Sequence, residues 1–177
     1  QLSIVIPFFT EEESLIPLYN EIKESINSNL SYEVIFIDDG STDQSNDKIK
    51  YIISNNRRVT LISLKKNYGK SNALNIVFKH ADGDTVVTMD ADLQDDPKEI
   101  NNLLRTLDEG WDVGSGWKKK RNDPISKTFP SKIFNTTLWW MSGLKIHDFN
   151  CGLKAYRSKV IKSLNIYGEL HRFIPYI

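Results

Sequence analysis

The sequence predicts an α/β fold in which an open, mostly parallel sheet carries helices on both faces. Short apolar runs of strand length alternate along the chain with longer stretches whose apolar residues recur at helical spacing. A chain of 177 residues has the size of one ordinary domain, and no internal repeat or low-complexity tract divides it. Because ligands of such sheets bind at the carboxyl ends of the strands, we expect the functional residues at that edge.

The predicted strands and helices alternate in order from the N-terminus. Their approximate bounds, each strand followed by its helix, are Ser3–Pro7 and Ser14–Ile26, Tyr32–Ile37 and Ser41–Asn55, Val59–Leu64 and Lys70–His80, Asp84–Met89 and Pro97–Gly110, and then a fifth strand at Trp111–Gly116. The first helix is predicted from apolar residues at every third or fourth position. The second is predicted to start at Ser41, because Ser41 and Gln44 have the capping-box spacing. Pro97 and Gly110 are typical of the two ends of a helix.

Two further stretches follow the fifth strand. Lys118–Pro130 is predicted to be a flexible loop, and Ile133–Leu144 to be a short core-packing segment, too brief to span a bilayer. The chain starts at Gln1 and not at a methionine, and it stops without a terminating signal. We therefore expect a single domain, residues 1–177, excised from a longer protein.

Composition limits the function classes only loosely. The 23 basic and 23 acidic residues cancel, so global charge gives no argument for a nucleic-acid partner, and none is expected. The single cysteine, Cys151, excludes an internal disulfide and is predicted to pack in the core. No apolar run approaches the roughly 20 residues of a membrane helix, and no signal sequence opens the chain. Attraction for a charged ligand must therefore be local.

Two carboxylates and an amide follow the predicted fourth strand. Asp90 and Asp92 come at its end, and Gln94 follows two residues later. In an extended segment, residues two apart point the same way at about 6.6 Å, so we expect the three side chains to turn toward one spot. Their oxygen atoms suit Mg²⁺ or Mn²⁺ and leave positions open for phosphate oxygens. The alternative interpretation is that acidic residues simply end a strand and start a turn.

A second acidic pair, Asp38 and Asp39, closes the second strand and precedes Gly40. The topology brings this pair to the same edge as Asp90, so that a nucleotide could lie between them. A carboxylate there can accept hydrogen bonds from ribose hydroxyls or a base N–H, although turn chemistry would also explain Asp38 and Gly40. The first strand ends without a glycine, which disfavours dinucleotide-binding oxidoreductases and P-loop enzymes.

Five segments, taken together and in this order, resemble the family 2 glycosyltransferases and, within them, the polyprenyl-phosphate sugar transferases similar to dolichyl-phosphate mannose synthase. The segments are Ile4-Val-Ile-Pro-Phe-Phe-Thr-Glu-Glu-Glu, Tyr32-Glu-Val-Ile-Phe-Ile-Asp-Asp-Gly-Ser, Asn67-Tyr-Gly-Lys, Asp90-Ala-Asp-Leu-Gln and Asp148-Phe-Asn-Cys-Gly-Leu-Lys-Ala-Tyr-Arg. The resemblance spans almost the whole chain. It implies a GT-A (Rossmann-like) fold and inverting transfer of a sugar from a UDP- or GDP-linked donor to a polyprenyl phosphate at the cytoplasmic face of a membrane.

The same resemblance implies the site residues. The nucleotide-sugar contacts would be Pro7, Phe9, Glu11, Asp39, Asn67, Lys70 and Asp90. The ligands of Mg²⁺ or Mn²⁺ would be Asp90, Asp92 and Gln94, and the catalytic residues would be Asp92, Asp148 and Lys154. The acceptor phosphate would meet Lys127, Ser131 and Arg157.

The chain departs from the family pattern at two places. Thr10 stands where the family usually has asparagine, and Gly116 with Trp117 stands where it often has an arginine after the fifth strand. The basic run Lys118–Arg121 could supply the missing positive charge, or it could be only a solvated face.

Two other functions stay open. Transfer to a saccharide or protein hydroxyl would need a general base, for which Asp148 is the candidate. A lipid phosphate is already largely ionised at neutral pH and needs no such base, so Asp148 would then orient the donor or sugar. The other alternative hypothesis is that the chain is a non-catalytic nucleotide-sugar-binding homologue. Relatives commonly continue into interfacial or transmembrane helices, which makes the membrane surface an expected partner.

Overall fold

The computed structural model describes residues 1–117, 151–168 and 170–174. The strands in this part of the chain are β1 (Leu2–Phe8), β2 (Tyr32–Asp38), β3 (Val59–Ser63), β4 (Thr85–Thr88), β5 (Val113–Ser115) and β6 (Lys154–Arg157). The α-helices are α1 (Leu15–Ser25), α2 (Ser45–Asn55), α3 (Lys70–Phe78), α4 (Ile100–Asp108) and α5 (Ser158–Ser163), with 3-10 turns at Pro97–Glu99 and Leu170–Arg172. The loop and core segment predicted between Lys118 and Leu144 lie outside the described residues.

Within the described residues the strands form one sheet in the order β3-β2-β1-β4-β6-β5. β1 pairs in parallel with β2 and β4, and β2 pairs in parallel with β3. β6 runs antiparallel to both β4 and β5. The chain therefore leaves β1 toward β2 and later returns to the other side of β1 as β4. This reversal of direction creates the switch point at which open α/β sheets bind ligands.

Each face of the sheet is covered by its own apolar cluster. Along β1, Ile4 and Ile6 pack into one cluster, and Val5, which points to the opposite face, packs into the other. Residues of α1, α2 and α4 complete the first cluster, and residues of α3 and α5 complete the second. The prediction of an open, mostly parallel sheet with helices on both faces is confirmed.

Several predicted boundaries are wrong. The capping box does not form, because Ser41 Oγ accepts the Thr10 N–H at 2.9 Å, and α2 begins four residues later at Ser45. Asp43 Oδ1 accepts the Ser45 N–H there at 3.1 Å. Elsewhere α3 ends at Phe78, α4 is preceded by a 3-10 turn, and β5 is shorter than predicted. Elements β6 and α5 were not predicted, since four and six residues are too few to show a period.

Among the described residues, none of the helices combines the length and the apolar character that crossing a bilayer would need.

Thr10 has a φ of +59°, in the left-handed region that β-branched residues rarely adopt. We predict that Thr10→Asn stabilises the protein by about 1 kcal/mol, because asparagine tolerates this conformation and the backbone N–H to Ser41 is kept. Urea unfolding measures the change. Thr42→Asn, at an exposed threonine in the neighbouring loop without a positive φ, is the control. An unfolding midpoint for Thr10→Asn at or below that of the wild type would contradict the prediction.

Candidate functional site

A cavity of about 330 Å³ opens where β1, β2 and β4 end. We call it the edge cavity. Asp92 lines it. So do all seven predicted nucleotide-sugar contacts, which are Pro7, Phe9, Glu11, Asp39, Asn67, Lys70 and Asp90. The pairing explains the convergence, because Phe8 at the end of β1 lies beside Asp38 of β2, and Val5 lies beside Thr88 of β4. Loops that are distant in sequence therefore leave the sheet side by side.

Asp39 joins two of these loops. Its buried carboxylate accepts the Tyr68 N–H at 2.8 Å through one oxygen and the Gly69 N–H at 2.9 Å through the other. Gly40, with φ +83°, brings its Cα against the Lys66 backbone, where a Cβ would lie 2.5 Å from the carbonyl carbon. Since a carboxylate offers about four lone-pair positions, two stay available toward the cavity.

Asp38 has a different role. One of its oxygens accepts the Ser41 N–H and the other the Asn46 side-chain amide, each at 2.7 Å, and the residue is 1% exposed. This arrangement is the turn chemistry that the sequence left as an alternative for Asp38.

The loops after β1 and β2 are also tied to each other. The Glu11 N–H donates to Ser45 Oγ at 3.0 Å, and Glu12 Oε2 accepts the Gln44 N–H at 2.8 Å. Asp43 accepts the Glu12 N–H in return. Burial raises the pKa of the Asp43 carboxyl, but the hydrogen bonds from Ser45 and Glu12 together outweigh it and hold this pKa below its usual value. The loop that carries Glu11 is therefore fixed to the loop after β2 by hydrogen bonds in both directions.

Asp90 also lines the edge cavity, and it contacts Lys70, Asp95 and Gly152. Its Oδ1 accepts a hydrogen bond from Lys70 Nζ, and its own N–H donates to Asp95 Oδ2 at 3.1 Å. The carboxylate rests on Gly152, where a Cβ would come within 2.3 Å of it. The Gly152 carbonyl accepts the buried Thr88 hydroxyl at 2.9 Å, which holds the Gly152 backbone in this place.

Sequence reasoning did not identify Thr88, Asp95 or Gly152 as part of the site. All three act on Asp90 through backbone or steric contacts, and such contacts leave no pattern in residue spacing. The one available signal was the position of Gly152 inside the last resembling segment.

Asp90 and Asp92 both line the edge cavity, as expected, whereas Gln94 lines a second cavity of about 390 Å³. β4 ends at Thr88, and Leu93 has a φ of +61°, so the segment from Asp90 to Gln94 is not the extended strand that the expected spacing assumed. Asp92 Oδ1 accepts the Gln94 N–H at 3.1 Å.

Lys154 and Arg157 mark opposite ends of β6. Lys154 pairs with Thr88 at the edge of the site, but it is only 5% exposed and its ammonium donates to the Cys151 carbonyl. Arg157 pairs with Thr85 at the other end of β4, and its guanidinium donates to the Leu107 carbonyl at 2.6 Å. The antiparallel direction of β6 thus places Arg157 at the end of β4 away from the edge cavity, and its phosphate contact stays a prediction.

Three other predicted residues, Asp148, Lys127 and Ser131, lie outside the described residues.

The carboxylate side chains at the edge cavity are of the type that binds a small divalent cation. In the part of the chain that the structure describes, no cluster of three or more His, Cys, Asp or Glu side chains could enclose a metal ion. Asp90 and Asp92, whose side chains end in carboxylates, nevertheless both line the cavity. Mg²⁺ is commonly held in this way, by one or two carboxylates together with substrate phosphates and water.

Comparison with curated proteins gives close relatives over nearly the whole chain. The chain is 36% identical over 182 residues to dodecaprenyl-phosphate galacturonate synthase of Rhizobium johnstonii, covering 99% of this chain and 53% of that protein. It is 38% identical over 176 residues to undecaprenyl-phosphate 4-deoxy-4-formamido-L-arabinose transferase of Shewanella sediminis, covering 98% and 53%. The chain thus spans about half the length of these relatives.

Solved structures of glycosyltransferases share the fold. A mannosyltransferase from Pyrobaculum calidifontis in complex with GDP-Man and Mn²⁺ superposes with a TM-score of 0.70 at 20% identity, over 94% of this chain and 47% of that one. Glucosyl-3-phosphoglycerate synthase from Mycobacterium tuberculosis, with Mn²⁺, UDP and phosphoglyceric acid, gives 0.74 at 21% identity, over 93% and 58%. The fold is therefore GT-A, and structures that share it have been crystallised with a divalent metal.

The family model described as glycosyl transferase family 2 matches residues 3–164. Together with relatives above 35% identity over almost the whole chain, this match shows that the chain belongs to glycosyl transferase family 2.

Proposed function

We propose that the chain is the catalytic domain of an inverting, metal-dependent transferase that moves a sugar from a UDP- or GDP-linked donor to a polyprenyl phosphate. The observation that carries this proposal is the edge cavity, whose lining brings together Asp39, Lys70, Asp90 and Asp92. The proteins named above as relatives act, by their names, on dodecaprenyl or undecaprenyl phosphate. Both observations agree with the motifs that the sequence carries.

The base and ribose of the donor would occupy the side of the cavity next to β2. Asp39 has lone pairs left to accept a base N–H or a ribose hydroxyl after binding the Tyr68 and Gly69 N–H groups. Phe9 is 47% exposed at the cavity rim and offers an aromatic face to the base. Pro7, Glu11 and Asn67 complete this side.

The diphosphate would occupy the other side, where Asp90 and Asp92 would hold Mg²⁺ or Mn²⁺. A bound cation neutralises the charge that develops on the departing nucleoside diphosphate, which is typically worth several kcal/mol. Lys70, the first residue of α3, adds a positive charge beside the same phosphates. Gln94 is a weaker candidate for the metal, because it lines the other cavity.

The acceptor would attack with its phosphate oxygen. A phosphate monoester has its second pKa near about 6 and is largely ionised at neutral pH, so no strong general base is needed. Lys127 and Ser131 remain the proposed phosphate contacts, and Asp148 would orient the donor or sugar. Lys154 remains a proposed catalytic residue, and its buried ammonium also donates to the Cys151 carbonyl, next to the Gly152 backbone on which the Asp90 carboxylate rests. The domain would work at the cytoplasmic membrane face, joined to interfacial or transmembrane helices.

We predict that Mn²⁺ strengthens the binding of either UDP or GDP, and that Asp92→Ala weakens the metal-dependent binding at least about tenfold, because a charged hydrogen-bonding or metal-binding partner is lost. Isothermal titration with and without Mn²⁺ measures both effects. Asp82→Ala is the control. It removes the same charge before the amino end of β4, away from the edge cavity, and should leave the affinity unchanged. If the folded wild type binds neither nucleotide under either condition, the donor site is wrong.

We also predict that Gly152→Ala weakens Mn²⁺ binding about tenfold, as loss of a group that orients a ligand typically does. The new methyl group would meet the Asp90 carboxylate within 2.3 Å, and the Thr88 hydroxyl prevents the Gly152 backbone from moving aside. Titration with Mn²⁺, paired with thermal melting to verify folding, measures the change. Gly114→Ala on β5, where the nearest atom is 3.4 Å away, is the control. Wild-type Mn²⁺ affinity in a folded Gly152→Ala protein would show that metal binding by Asp90 does not depend on its contact with Gly152.

A further inference from the structure

The ion pair between Lys70 and Asp90 uses the same carboxylate that the proposed metal would need. The ammonium of Lys70 contacts Asp90 Oδ1, and the two side chains are 35% and 26% exposed. Both residues line the edge cavity with Asp92. The Lys70 ammonium therefore places a compensating positive charge at Asp90 before any ligand enters.

The backbone of Lys70 is held firmly, whereas its ammonium has freedom to move. Gly69 has φ +88° and its N–H is bound by Asp39 Oδ2, so the start of α3 is fixed to the end of β2. The Lys70 ammonium is connected to this fixed point by four methylene groups and carries three donors that rotate freely. It can therefore change its partner within the cavity without any movement of the fold.

A divalent cation and an ammonium group cannot share one carboxylate oxygen without strong mutual repulsion at contact distance. Cation binding at Asp90 would thus displace the Lys70 ammonium from Oδ1. The nearest new negative charge would be the diphosphate of the donor, which enters the same cavity with the metal. Phosphate oxygens accept hydrogen bonds from lysine as readily as carboxylates do.

We propose that Lys70 is an exchanging counter-ion, which pairs with Asp90 in the empty site and moves to the donor diphosphate when a divalent cation binds Asp90. This proposal rests on the proposed function, because it takes the edge cavity to be the donor site. It makes metal and nucleotide binding mutually dependent. Metal alone must compete with Lys70, whereas metal and nucleotide together give the ammonium a new partner.

The exchange predicts opposite effects of one substitution on two affinities. In Lys70→Met, Mn²⁺ alone should bind roughly fivefold more tightly, since a partly exposed ion pair of ordinary strength no longer competes. UDP or GDP in saturating Mn²⁺ should bind about tenfold more weakly, because a charged hydrogen bond to phosphate is lost. A residue with a purely structural role would not produce both changes.

The experiment is titration of Mn²⁺ into the nucleotide-free proteins, followed by titration of UDP and of GDP at saturating Mn²⁺. Lys66→Met is the matched control, because Lys66 lies in the loop just before α3, with its ammonium 5.2 Å from the Tyr68 ring centroid, and its loss changes the net charge equally. Thermal melting verifies that each variant is folded. Lys66→Met should show neither effect.

The outcomes separate the exchange from the proposed function. Unchanged or weaker Mn²⁺ binding by folded Lys70→Met, or tighter binding that Lys66→Met reproduces, would overturn the exchange even if nucleotides bind. Absence of Mn²⁺ binding by both wild type and Lys70→Met would overturn it as well. Failure of the wild type to bind either nucleotide would refute the donor site, whereas the metal titration would still report whether Lys70 competes for Asp90.

Discussion

The carboxylate of Asp39 is the contact on which the geometry of the site depends. It accepts the N–H groups of both Tyr68 and Gly69, and thereby fixes the start of α3 to the end of β2. Lys70 follows directly, so the same contact determines where its side chain starts and why it reaches Asp90 on the other side of β1. Hydrogen bonds to a charged acceptor are roughly twice as strong as neutral ones, which suits a joint that must hold two loops in register.

Backbone groups of neighbouring loops position the charged side chains of the site. Gly40 lets the loop after β3 lie directly on the end of β2, and Gly152 does the same below the Asp90 carboxylate. The Thr88 hydroxyl donates to the Gly152 carbonyl, and the Asp95 carboxylate accepts the backbone N–H of Asp90 itself. Because these groups bind backbone atoms, they position the carboxylate without occupying the cavity in front of it. A site arranged in advance loses little free energy to reorganisation when charge develops in it.

The two acidic walls have different tasks because their surroundings differ. Asp38 and Asp39 are almost completely buried, and hydrogen bonds occupy much of their capacity. Asp90 and Asp92 are more exposed, and both line the open side of the edge cavity. The first pair therefore organises loops and offers a few remaining lone pairs, while the second pair offers charge. This division agrees with a donor whose base needs orientation and whose diphosphate needs neutralisation.

Much of the fold could be predicted from the sequence, because apolar periodicity reports which faces are buried and the strand-helix alternation leaves few topologies. The convergence of Asp39, Lys70, Asp90 and Asp92 at one edge follows from that topology, and the resembling motifs indicated the family.

The tertiary structure decided the direction of the strands and the partners of the side chains. Arg157 lies at the end of β6 away from the edge cavity because β6 is antiparallel, and Gln94 lines a different cavity from Asp92 although only one residue separates them. Ser41 binds Thr10 and not its own helix, and Gly152 meets Asp90 across 62 residues of sequence. The sequence by itself thus determined which chemistry is available and at which edge of the sheet, since both depend on local pattern. Only the tertiary structure decided which oxygen faces which donor, because such contacts join residues whose spacing along the chain carries no information about their distance in space.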